Sequence, residues 1–191
     1  MIHSLQGKIS EKRQNFFTIN VGGIFYKIYA SENTLKNVSV SDSLSRIFTH
    51  LNVKEDALDL YGFTTESELN IFEKLISISG IGPKSAMSVL GLGKIDQIVT
   101  AINEGKADLL TRASGVGKKT AERIVLELKG KLDLPASSQT LTLMESDLEL
   151  EETLVTLGYS KMEAKTIVGK IDSKTTGFKE RLKEALRNKK V

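Results

Sequence analysis

Residues 114 to 125 read SGVGKKTAERIV, and 35 positions earlier residues 79 to 90 read SGIGPKSAMSVL. The two stretches align without a gap: Ser79 with Ser114, Gly80 with Gly115, Gly82 with Gly117, Lys84 with Lys119 and Ala86 with Ala121. Two glycines around one apolar residue, then lysine and a helical pattern, suggest a phosphate site; the open question is which phosphate. A P-loop needs G-x-x-x-x-G-K-[ST]. Arg112 stands where its first glycine belongs, and Lys118 is followed by Lys119. A dinucleotide fingerprint needs a third glycine, in a turn that follows a strand. Ser85 and Thr120 occupy that place, and the preceding stretches 72–78 and 107–113 have helical spacing. The repeated unit therefore reads as helix, tight glycine turn, helix, and the phosphate as part of a nucleic-acid backbone.

The chemistry of such a turn is simple. Glycine lets the main chain approach a bulky anion, and the amides that open a helix carry unsatisfied N–H groups at the positive end of the helix dipole. The candidate contacts are Gly80, Ile81, Gly82, Lys84 and Ser85 in the first copy. In the second they are Gly115, Val116, Gly117, Lys118, Lys119, Thr120 and Arg123. Ile81 and Val116 are expected to point inward as anchors, and Ala86 and Ala121 to let the helices approach closely. The second copy is the more basic, with six basic residues against two acidic ones between Thr111 and Lys131. Nothing in either copy reads a base edge, so binding should be independent of sequence. Two copies side by side would follow two stretches of backbone across a minor groove. The plainer alternative is a pair of hairpin turns with solvated lysines. Two in-register copies weigh against it, because the shared lysine and alanine have no common packing need.

Outward from the repeat, the hydrophobic period divides the chain. Residues 1–63 alternate like strands, with Phe17, Ile19 and Val21 on one side and a Gly22-Gly23 turn before Phe25, Lys27 and Tyr29. About five short strands predict a closed barrel of the oligonucleotide-binding type, since closure removes sheet edges. Residues 64–132 are helical, with Leu69, Phe72, Leu75 and Ile76 as one face. Residues 133–147, DLPASSQTLTLMESD, read as a flexible linker. From Asp133 to Glu152 every charged residue is acidic, so this stretch should avoid a polyanion. Residues 148–191 read as three short helices. Leu150, Leu154, Val155 and Leu157 form the first face, which Gly158 ends, and Ser160 and Glu163 form a capping box for the second. The fold class is thus α+β and multidomain.

Composition excludes several chemistries. No cysteine occurs, so disulfides and thiolate chemistry are absent. The two histidines, His3 and His50, read as ordinary strand or surface residues rather than metal ligands. No apolar run approaches the ~20 residues of a membrane span, and the opening residues lack the basic segment and long apolar run expected of a secretory leader. A cytoplasmic protein is expected, with no metal and no cofactor. The net charge of +3 is a weak pointer to an anionic partner.

The two SG[IV]G-K-A units are helix-hairpin-helix motifs. With MIHSLQGKI, VGGIFYKIY (21–29), FTHLNVKEDALDLYGF (48–63) and LVTLGYSKMEA, they make nearly the whole chain resemble the RuvA family of bacterial Holliday junction-binding proteins. The resemblance implies a flat homotetramer holding a four-way DNA junction open, with one or two tetramers per junction. It also implies recruitment of the hexameric ATPase RuvB through the terminal domain, and the RuvC resolvase as a further partner. The chain would then be a non-catalytic subunit acting in branch migration, recombination, repair and the SOS response. Under the same resemblance Glu55 and Asp56 form an acidic pin at the junction centre. A close carboxylate–phosphate pair repels by roughly 1 kcal/mol even in water, so the pin would discourage continuous duplex rather than add affinity. On the residues alone, Glu-Asp is an ordinary turn. Leu157, Tyr159 and Met162 are expected to serve the terminal core first. The basic cluster Lys179, Arg181, Lys183, Arg187, Lys189 and Lys190 reads as a solvated helix face. Two rivals stay open: a generic binder using the barrel for single strands, and a nuclease or glycosylase carried by the hairpins.

Overall fold

The computed structural model describes residues 2–132, 138–172, 175 and 177–187. Five strands, β1 (Ser4–Lys12), β2 (Phe16–Val21), β3 (Ile24–Tyr29), β4 (Leu44–Val53) and β5 (Leu58–Phe63), close in the order β1-β2-β3-β5-β4. All pairings are antiparallel except β3 with β5. Of the side read as Phe17, Ile19 and Val21, the first two are buried in the barrel and Val21 is partly buried; Ile9, Ile28, Ile47 and Leu60 complete the buried set. Between β3 and β4 the chain inserts a short helix, α1 (Glu32–Asn37), capped by Ser31. Its Leu35, with Val38, joins the barrel core. Six residues are too few to show a helical period, so α1 had no visible signal in the sequence.

Helices take over after β5. α2 (Glu66–Ile76) starts at a Thr65–Glu68 capping box. It is followed by α3 (Pro83–Leu90), α4 (Ile95–Asn103), α5 (Ala107–Leu110) and α6 (Lys118–Leu128). The face expected on α2 is buried at Leu69, Phe72 and Leu75. Phe72 is its centre: its ring lies 4.9 Å from Phe63, and 5.4 Å from both Tyr61 and His50. Because Tyr61 and Phe63 belong to β5, barrel and helices share one apolar core. His50 Nδ1 also lies 3.0 Å from Glu73 Oε1 on α2. Asn33 on α1 donates to the Leu90 carbonyl at 2.9 Å and to that of Gly93. Burial, with Asp59 and Tyr29 adding to it, pushes the Tyr61 phenol above its ordinary value. Residues Met1–Pro135 accordingly form one compact unit.

The second unit, Ala136–Val191, is built from α7 (Ser138–Thr156), α8 (Lys161–Val168) and α9 (Phe178–Arg187). Leu150, Leu154, Ala164, Val168 and Ala185 form its core. Gly158 ends α7, with the Tyr159 amide donating back to the Leu154 carbonyl at 3.1 Å. The Ser160–Glu163 capping box forms as read, and hydrogen bonds from the Ser160 hydroxyl and amide hold the Glu163 carboxyl below its ordinary range.

Three expectations need correction here. The stretch read as a flexible linker over 133–147 is helical from Ser138 onward, ten residues before the helix expected near Leu148. Leu, Met and Glu are good helix formers, and Ser138, Thr140, Thr142 and Ser146 of that stretch lie in one helix; residues 133–137 lie outside the described residues. Leu157 and Met162 are exposed, at 57% and 67%, and Val155 is partly so at 38%, so the core is reached by Leu150 and Leu154 alone of the face read on α7. Arg181 does not belong to a solvated face. It is buried, pairs with Asp147 and donates to the Thr175 carbonyl at 3.1 Å. Lys189 and Lys190 lie outside the described residues.

Candidate nucleic-acid interface

The two glycine turns have the same backbone. In the first, Gly80 sits at φ 90°, and the Ile81 amide donates to the Ile78 carbonyl at 3.0 Å. In the second, Gly115 sits at φ 79°, and the Val116 amide donates to the Ala113 carbonyl at 3.1 Å. Only glycine adopts such positive φ without strain. Ile81 and Val116 are buried, as are Ala86 and Ala121, so the anchors and close contacts read from the repeat are in place. Gly82 (φ −88°, ψ 169°) and Gly117 (φ −82°, ψ 171°) then open α3 and α6.

Gly82 and Gly117 are informative because the fold does not demand them. Their backbone is extended, and a Cβ built on either meets nothing within 4 Å. Serine or aspartate would fit there and would cap the helix, typically stabilising it by about 1 kcal/mol relative to alanine. Instead, neither α3 nor α6 has a side-chain cap or an acidic residue in its first turn. Helices α1, α2, α4, α5, α8 and α9 each carry a carboxylate there; α7 is the other exception. The positive ends of the two hairpin helices are left bare and exposed, with Lys84, Lys118 and Lys119 around them and Ser85 and Thr120 beside these lysines. Pro83 has no N–H to offer, so the second hairpin presents one more amide and one more cation than the first.

The hairpins are also tied to each other. Ser85 Oγ, at the start of α3, donates to the Gly115 carbonyl at 3.3 Å. Arg123 Nη1, on α6, donates to the Ser79 carbonyl at 2.8 Å. Each helix thus holds the other copy's turn. The sequence suggested Arg123 only as an attractor for phosphate; its structural tie had no signal, because it joins residues 44 positions apart.

Glu55 and Asp56 occupy the tip between β4 and β5, exposed, with the Lys54 amide donating to the Ala57 carbonyl at 2.9 Å beneath them. Lys54 Nζ is 3.5 Å from Asp59, so the nearest lysine is directed to a neighbouring carboxylate rather than to the tip. Val53 and Leu58, a register pair, flank the tip and are both exposed. Among the described residues no three His, Asp or Glu side chains gather as metal ligands, and no helix is long and apolar enough to cross a membrane.

Comparison with known proteins agrees with this architecture. Residues 1–62 match the model of the RuvA N terminal domain, and residues 72–131 match that of the SAM-like helix-hairpin-helix tandem. A protein of Chloroflexus aggregans called Holliday junction branch migration complex subunit RuvA is 42% identical, over 98% of this chain and 97% of its own length. Proteins of the same description from Thermoanaerobacter sp. (strain X514) and Clostridium botulinum are 39% and 35% identical, each over 98% of this chain.

Proposed function

The chain belongs to the RuvA family, and from that membership we propose that it binds four-way DNA junctions by structure rather than sequence, as the non-catalytic subunit of a branch migration complex. The observation that carries this reading is the pair of bare helix ends side by side, each opened by a glycine the fold does not need. The space beyond Gly82 and Gly117 suits a sugar-phosphate backbone, and the amides of residues 84–85 and 118–120 suit its phosphates. Lys84, Lys118, Lys119 and the remaining donors of Arg123 supply attraction that any base sequence satisfies.

In this reading the protein works as a homotetramer in the cytoplasm. The four Glu55-Asp56 tips would converge on the crossover, repelling phosphates and keeping strands apart. ATP hydrolysis belongs to the motor RuvB, recruited by the second unit, and RuvC is the expected resolvase partner. Competition gel shifts test the core of the proposal. A labelled four-way junction should resist unlabelled linear duplex of equal length at matched salt, and equal competition by the two would defeat it. Strand cleavage with Mg²⁺, lost on changing Glu55 and Asp56, would instead favour the nuclease reading.

A further inference from the structure

We propose that the outer face of β2 and β3 is a second DNA site, one that stacks unpaired bases of a single strand. The partner class rests on the nucleic-acid reading above; the site itself is distinct from the hairpins. Strand register brings Phe16 opposite Tyr29, Thr18 opposite Lys27 and Asn20 opposite Phe25. These six residues form the outer side of the two strands, because their neighbours Phe17, Ile19 and Ile28 fill the barrel. Three of the six are aromatic. Phe25 is 61% exposed at one end of the strip. The half-buried Phe16 lies at the other, roughly 13 Å away at strand spacing, beside Tyr29, whose ring is 5.7 Å from that of Tyr61 and packs against the helical core.

Between the rings stands a cation. Lys27 Nζ lies 4.5 Å from the Phe16 centroid and 4.9 Å from that of Tyr29. Such a contact is worth only about 0.5–1 kcal/mol at an exposed site, so the flexible lysine can leave the rings to bases and turn to a phosphate. Around the strip, Glu11, the one carboxylate from Ser4 to Tyr29, lies opposite Thr18 and is paired with Arg13 at 2.5 Å. Lys8 lies 3.4 Å from Asp42 and Lys12 donates to the Leu35 and Val38 carbonyls, so Lys27 is the strip's own cation for a phosphate. Aromatic faces interleaved with a cation on strands 2 and 3 of a small barrel are what sequence-tolerant single-strand binding requires. Duplex has no free base face and is served by the hairpins. A strand exposed while pairing is exchanged has such faces.

The test uses the full chain and fluorescence anisotropy with three probes: oligothymidylate, an abasic backbone of equal length, and a fully paired four-way junction. Oligothymidylate should bind more tightly than the abasic strand. Phe25→Ala should weaken it about five-fold or more, since one stacked base is worth about 1–3 kcal/mol. Phe25→Leu should weaken it similarly, because it keeps apolar area but loses the ring. Both variants should bind the junction within about two-fold of the parent, a change smaller than the removal of one stacked base would cause. Lys119→Glu should do the reverse, so the site and the hairpin reading fail separately. Equal binding of the abasic strand, unchanged binding by Phe25→Ala, or a change in sedimentation by that variant would overturn the proposal; the last would make a second copy of the chain the occupant.

Discussion

At Gly117 the backbone has φ −82° and ψ 171°, open to every residue type, and the space where a side chain would sit is empty. Gly117→Ser should therefore keep or slightly raise thermal stability, since serine caps α6 at least as well as glycine, while weakening junction binding, because the side chain would hold a phosphate away from the amides of residues 118–120. Paired melting and binding curves check this, and equal loss of both would place the glycine's role inside the fold. Lys119→Glu should weaken binding alike for junctions of different base sequence and flatten the dependence on salt, by about one unit of log–log slope for each phosphate no longer neutralised. A salt titration reads it. The two turns were legible at this scale because glycine, an apolar anchor and alanine recur at fixed offsets for reasons of backbone angle and packing. The Ser85 and Arg123 ties were not legible, since their acceptors are main-chain carbonyls with no residue identity.

Among the elements, α7 shows where reading by composition fails. Ser and Thr suggested a linker, yet Asp147 within it meets the buried guanidinium of Arg181. Asp147→Ala would leave that charge without its carboxylate. Breaking a fully buried pair in this way costs about 3 kcal/mol; with Asp147 one-third exposed the loss should be smaller, yet still a sizeable share of the stability of so small a unit. The terminal helices should then melt early, and the Asp147→Ala/Arg181→Met double variant should recover much of the loss; circular dichroism of the full chain follows both. The α8 cap makes a prediction of different sign. Since the folded Glu163 carboxyl is held low, its contribution is present above the ordinary carboxylate range and disappears as pH falls through the lowered folded value. Amide exchange at the start of α8 should quicken there, and Glu163→Gln should remove the pH dependence. That capping box was readable because its two residues are three apart. Leu157 and Met162 were misassigned because an apolar residue just beyond a helix end has no periodic partners to orient it.

For the whole molecule, the shared core around Phe72 makes the barrel and hairpins one unit, whereas the period change near Thr64 suggests two. Periodicity detects elements but not the apolar contacts between them; β5 reads as an ordinary strand, although its Tyr61 and Phe63 are part of the helical core. A chain ending at Pro135 should thus fold and bind junctions but fail to stimulate the motor. Normal stimulation by that truncation would refute the division of roles assigned to the two units.

The reciprocal ties between α3 and α6 carry a last implication. Because each hairpin grips the other's turn, the distance between the two helix ends is set within the chain, and with these ends seating phosphates as proposed, the pair would act as a gauge. In the proposed function, such a fixed pair would meet every stretch of regular B-form duplex in the same way, so the protein would travel along an arm without readjusting its jaws. An RNA–DNA hybrid, with its wider and shallower minor groove, would engage one jaw at a time and forfeit the advantage of holding both.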